Sequence, residues 1–114
     1  MLSEKTRQYL RDILDSIDAI QRFVHGMDEA AYDEDDRTRS AVERKMLIIS
    51  EAAIRLKDEA AVLCPGIPWH QVRGIGNWLR HQYDQIALET VWDAIHEDLP
   101  PLRAAVEKAL QDTE

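Results

Sequence analysis

Apolar residues recur at spacings of three and four along almost the whole chain. Leu10, Ile13, Leu14, Ile17, Ile20 and Val24 put one apolar stripe on a helix over about residues 3–24, and His25-Gly26 is a stop signal. Residues 28–36, DEAAYDEDD, are acidic and hold few large apolar side chains. They predict a solvated connection whose last residue, Asp36, caps the next helix. That second helix is expected over about residues 37–63, with Val42, Met46, Ile49, Ala53 and Leu56 buried and Ile48 and Ala52 widening the face. CPGIP at 64–68 then breaks it, because each proline lacks a donor and restricts the residue before it. A third helix starts near Trp69 and runs toward His81. From Leu88 the helical spacing continues through Val91, Trp92, Ile95, Leu99, Leu102, Val106 and Leu110, across Pro100-Pro101. Paired prolines there imply a kink or two abutting helices, since Pro101 stands where a new helix can begin. No run of alternating β-branched residues and no repeat interrupts the pattern, which predicts an all-α, up-and-down bundle of four to five helices.

Composition narrows the setting. A chain of 114 residues is the size of one domain, taken here as 1–114. The longest apolar runs are short, as in MLII at 46–49, so neither a secretory signal nor a membrane span is expected. Cys64 is the only cysteine, which excludes an intrachain disulfide and makes the cytoplasm the expected compartment. The net charge of −8 opposes unspecific attraction to nucleic acid. Its distribution points the other way at one place: from Pro65 to Tyr83 there is no Asp or Glu, while His70, Arg73, Arg80 and His81 all fall there. The stretch GIGNWLRHQYD, residues 74–84, lies mostly in this window.

Two readings of that stretch compete on its residues alone. One is a helix end with glycines for close packing, Trp78 in the core and a solvated Arg-His pair. The other is a phosphodiester-cleaving site. Histidine moves protons near neutrality, and a fixed guanidinium stabilises charge growing on a phosphate. RNA carries its own nucleophile in the 2′-hydroxyl, so this pair suffices without a metal.

GIGNWLRHQYD followed by VWDAIHEDLPPL resembles the HepT-like family of the HEPN superfamily. The family's hallmark is an Arg, four to six residues, a His, any residue and a Tyr. His81-Gln82-Tyr83 matches the His-x-Tyr part, Asn77 matches the Asn that follows the motif's Arg, and Trp92 through Leu102 matches the closing helices. The resemblance implies a dimeric HEPN-like bundle and the toxin half of a type II or related toxin–antitoxin system. It implies a metal-independent, cofactor-free endoribonuclease with its site near the dimer interface. A minimal nucleotidyltransferase antitoxin would silence it by adenylylating the motif tyrosine, Tyr83. Gly76 stands where the family carries its Arg. Arg73 and Arg80 fall outside the family spacing, and the reading adopted is that Arg80 takes over beside His81, with Arg73, Asn77 and Glu51 as RNA-binding or supporting residues. A noncatalytic helical adaptor for a nucleotidyltransferase is the alternative.

The remaining candidates have blander readings. His25, His70 and His96 lack partners at metal-ligand spacing, so no metal is expected. His96-Glu97-Asp98 reads as a solvated helix face, Trp69, Trp78 and Trp92 as core or dimer packing, and Cys64 as a small packed residue. Glu51 is the carboxylate to watch, because it adjoins an apolar face and a buried Glu would need Arg80 or His81 as partner.

Overall fold

Ser3 starts the first helix by capping it. Its hydroxyl accepts from Thr6 N at 3.0 Å, and α1 runs Glu4–Val24 until Gly26, at φ +78°, turns the chain away. The computed structural model describes residues 2–81 and 85–112, the side chains of 81 and 85–88 excepted. Among the described residues the remaining helices are α2 (Glu29–Glu34), α3 (Asp36–Leu56), α4 (Glu59–Leu63), α5 (Trp69–His81), α6 (Gln85–Glu97) and α7 (Leu99–Asp112), with no strand. Five are long and two are short, so the expected all-α bundle is what the chain forms.

Packing follows the stripes. Leu10, Ile13, Ile17 and Ile20 of α1 are fully buried and α1 lies chiefly along α3, whose Val42, Met46, Ile49 and Ala53 meet it. Each such aliphatic side chain removed from water contributes about 1.5–3 kcal/mol. On its other flank α1 receives α7, and α3 receives α5. The α1–α7 contact carries an ion pair, Arg103 Nε to Asp18 Oδ1 at 2.6 Å, with Glu107 on the same guanidinium at 3.0 Å. Both partners are part-exposed, so it adds at most about 1 kcal/mol. Pro100 and Pro101 sit in the first turn of α7, where a backbone donor has no intrahelical acceptor. The prolines therefore separate two abutting helices.

Three expectations are corrected. The acidic run 28–36 is not simply a solvated connection: α2 forms within it, capped by Asp28, and Tyr32 is fully buried against α6, its ring 5.3 Å from that of Trp92. One large aromatic folded inward gives even an acidic turn something to bury. The cap of α3 is accordingly Asp35, whose carboxylate accepts from Thr38 N at 2.9 Å, and Asp36 is the first helical residue. The second long helix also stops earlier than expected. It ends at Leu56, Lys57 takes φ +52°, and residues 59–63 form the separate α4.

Candidate functional site

Helix α5 is fastened at its start, along one side and against one neighbour. Trp69 is buried and its indole N–H donates to Cys64 O at 3.0 Å, which fixes where the helix begins after the proline-rich turn. Cys64 is buried beneath, its thiol pushed up by desolvation and donating to Ala105 O at 3.5 Å. Val72 turns into the core. Arg73 reaches the end of α3: its Nε donates to Ala53 O at 3.3 Å and its Nη2 to Lys57 O at 2.7 Å. The Ala53 carbonyl belongs to the last turn of α3, which a helix end leaves without an intrahelical donor, while Lys57 O also accepts from Ala60 N at 3.3 Å; a cation there meets the negative end of the helix dipole. Arg73 thus explains why α3 can stop at a lysine in the left-handed region.

Gly76 lies at the crossing of α5 with α3. Its N–H donates to Ser50 Oγ at 3.2 Å, and that hydroxyl donates to Arg73 O at 2.7 Å. A Cβ at 76 would meet Ser50 Oγ at 3.3 Å, closer than side chains ordinarily pack, and Leu47 Cδ2 at 3.4 Å. The position where the family has its Arg is here a point of close backbone approach. Gly74 is different: nothing lies within 4 Å of where its Cβ would stand, and it borders a groove enclosing ≈ 540 Å³ between α5, α6 and α7. Ile75, Trp78 and Leu79 form one wall of that groove, Val91 and Ala94 the facing one.

The polar residues of α5 gather on a third face. With 100° per residue, positions 70, 73, 77, 80 and 81 fall within a sector of about 100°. His70, Asn77 and Arg80 are exposed on it, and Arg73 is half-buried. No acidic residue interrupts this stripe, so it is a cationic strip on an otherwise acidic molecule. His81 is the last residue of α5, next to Arg80. Its side chain lies outside the described residues, and so does Tyr83.

Glu51 does not join the strip. It is exposed on α3, and no described hydrogen bond or ion pair reaches it. The polar residue that belongs to the buried face of α3 is its neighbour Ser50, 2% exposed. The sequence pattern does not single out Ser50; a small hydroxyl within the stripe Met46, Ile49, Ala53 is its only sign. Trp92 packs between Tyr32 and His96, ring centroids 5.3 and 4.3 Å away and the planes tilted by 40° and 49°. His96, Glu97 and Asp98 are exposed. Among the described residues no group of three His, Cys, Asp or Glu is placed to hold a metal ion, and no helix is long and apolar enough to cross a membrane.

Fold and site together define an all-helical bundle of the HEPN kind that presents a cationic helix end. The family model described as "Ribonuclease HepT-like" matches residues 13–109, and the chain belongs to that family. Among its relatives is a "Probable ribonuclease HepT" of Thermococcus cleftensis, 30% identical over 102 residues that cover 90% of this chain and 93% of that protein. A "Putative RNase MJ1380" of Methanocaldococcus jannaschii is 29% identical over 107 residues, 94% of this chain and 98% of the other. A "Putative RNase TTE0752" of Caldanaerobacter subterraneus is 28% identical over 105 residues, 92% and 94% of the two chains. No solved structure matches the chain.

Proposed function

We propose that this protein is a metal-independent endoribonuclease acting as the toxin of a toxin–antitoxin pair, with Arg80 and His81 as its catalytic residues. The observation that carries the reading is the acid-free strip on α5, which leads along one helix face to Arg80 and His81. In the reaction His81 takes the 2′-hydroxyl proton, the 2′-oxygen attacks the neighbouring phosphorus and the bond to the 5′-oxygen breaks. The products are a 2′,3′-cyclic phosphate and a 5′-hydroxyl, the latter reprotonated by imidazolium. Arg80 offsets the charge that builds on the phosphate oxygens. Arg73 is held by the carbonyls of Ala53 and Lys57, so it contributes field and a stable helix rather than a free guanidinium; Asn77, exposed on the same face, would contact RNA.

The working form is a homodimer. Gly74 opens an apolar groove lined by half-buried Ile75, Trp78 and Leu79, and a helix of a second copy would cover it. A minimal nucleotidyltransferase is the antitoxin, and adenylylation of Tyr83 places a bulky anion two residues from His81, repelling RNA. Intact mass after co-expression tests that modification, and light scattering at micromolar concentration tests the dimer.

The deciding experiment is cleavage of an RNA substrate at two salt concentrations. Arg80→Ala and His81→Ala should lose the chemical step at saturating RNA by at least about 10²-fold. Arg73→Ala should lose stability and some RNA affinity while keeping turnover in the folded fraction. Wild-type turnover by Arg80→Ala would remove Arg80 from the site. A second reading, a noncatalytic adaptor, is favoured by Gly76, which leaves the family's Arg position without a side chain. Absence of cleavage by the wild type, with the nucleotidyltransferase still bound, would establish it.

A further inference from the structure

Helices α3 and α5 are joined by hydrogen bonds that run in both directions. Arg73 sends its guanidinium from α5 to the carbonyls of Ala53 and Lys57, and Ser50 sends its hydroxyl from α3 to the backbone of α5. The second of these is unusual in what it touches. In an α-helix the carbonyl of residue 73 already accepts from residue 77, and the N–H of residue 76 already donates to residue 72. Ser50 Oγ is an extra partner for both groups, donating to Arg73 O at 2.7 Å and accepting from Gly76 N at 3.2 Å. It therefore satisfies no otherwise orphaned backbone group. A serine within a helix ordinarily bonds back to its own preceding turn or points to solvent. This one is 2% exposed and is aimed at the neighbouring helix.

We propose that Ser50 is a positioning residue for the site at the end of α5: its hydroxyl sets the register of α5 against α3 and, through it, the placement of Arg80 and His81. This rests on the ribonuclease reading above. Gly76 and Ser50 act as one unit, because the hydroxyl reaches the α5 backbone only where no Cβ intervenes. From Gly76 to His81 is five residues of continuous helix, a rise of about 7.5 Å, so a shift or rotation at the crossing is carried to the end of the helix. Arg73 ties the same turn of α5 to the end of α3, one to two turns beyond Ser50, so the two contacts together fix both the position of α5 along α3 and its rotation about its own axis.

The test is steady-state RNA cleavage by Ser50→Ala and Ser50→Cys beside the wild type, with thermal melting of each. Ser50→Ala leaves no backbone group unpaired and should stay folded, with kcat lowered about tenfold and KM within about twofold. Ser50→Cys, nearly the same size but a weaker hydrogen-bonding group, should lie between. A purely structural serine would lower the melting temperature and leave kcat of the folded protein unchanged, and that result overturns the proposal. If the wild type itself cleaves no RNA, the ribonuclease reading fails separately. Backbone amide exchange then decides on Ser50: in Ser50→Ala the amides of residues 77–80 should exchange about tenfold faster with those of α1 unchanged. Equal rates at 77–80 would overturn it.

Discussion

The α1–α3 pair and helix α5 are held by different kinds of contact. Along α1 and α3, fully buried aliphatic side chains repeat at helical spacing and make up most of what the two long helices share. Along α5 the buried face is thin, with Trp69, Val72 and Gly76, and the helix is placed by directional bonds from Trp69, Arg73 and Ser50. The first arrangement tolerates changes of detail, because burial is non-directional and spread over many contacts. The second fixes one geometry. That suits a helix that carries chemistry at its end while showing three faces to three different surroundings.

The largest expected effect falls on the first region. Ile17→Ala removes a fully buried side chain from α1 and should cost about 2–5 kcal/mol, by the lost transfer energy and the cavity left behind. Denaturant unfolding measures it, and the folded fraction should cleave RNA with unchanged kcat. A loss below about 1 kcal/mol would mean that buried aliphatic side chains are not what holds α1 to α3, and the first half of the comparison would fail.

The two glycines of α5 sharpen the comparison within one helix. Both occupy helical positions, where alanine is intrinsically better by about 0.5–1 kcal/mol. At Gly74 nothing opposes that gain, so Gly74→Ala should raise the stability of the isolated chain by roughly that amount and weaken the proposed dimer. At Gly76 the added methyl meets Ser50 Oγ and Leu47 Cδ2. The leucine methyl can swing aside, but the serine is held by two hydrogen bonds. Overpacking of this kind costs about 1–3 kcal/mol, so Gly76→Ala should be net destabilising by about 1 kcal/mol. Equal melting temperatures for the two variants would show that the α3–α5 crossing is looser than its distances.

The same contrast explains what the sequence made legible. The stripes of α1 and α3 and the paired prolines ahead of α7 are local patterns, and they lead to the right helices. The acid-free window also singles out α5 without any partner. Lys57 carries no turn signal; α3 ends there at a positive φ, and the carbonyl of Lys57 is bonded by Arg73, sixteen residues later in the chain. Tyr32 lies in a run whose composition says solvent, and only α6 gives its ring a place to pack. On α3 the sequence directs attention to Glu51, yet one residue of helix, about 100°, separates it from the buried Ser50. Hydrogen bonds to a helix 23 and 26 residues away leave no trace in a periodicity.

The smallest expected effect compares the two ends of α3 directly. Its N-terminus is capped by Asp35, which accepts from Thr38 N at 2.9 Å and from Thr38 Oγ1 at 2.8 Å, and its C-terminus by Arg73. The Thr38 bonds, first the backbone one, hold the Asp35 carboxyl below its ordinary value. A carboxyl depressed in the folded state contributes stability that is full above the unfolded value, about 3.9, and is lost as pH falls through the lower folded value. The C-terminal end is held by hydrogen bonds from Arg73 to backbone carbonyls, with no carboxylate in them. Acid should therefore loosen the Asp35 end of α3 and spare the end that holds α5. Following the Thr38 amide by NMR on acidification should give a midpoint below about pH 3.9, while the Gly76 amide stays in place. Asp35→Asn, which keeps a side-chain acceptor but cannot ionise, should abolish the Thr38 transition. A Thr38 midpoint at or above the ordinary aspartate value would mean that the carboxylate cap contributes nothing. Loss of the Gly76 signal over the same range would mean that the two ends of α3 do not act independently.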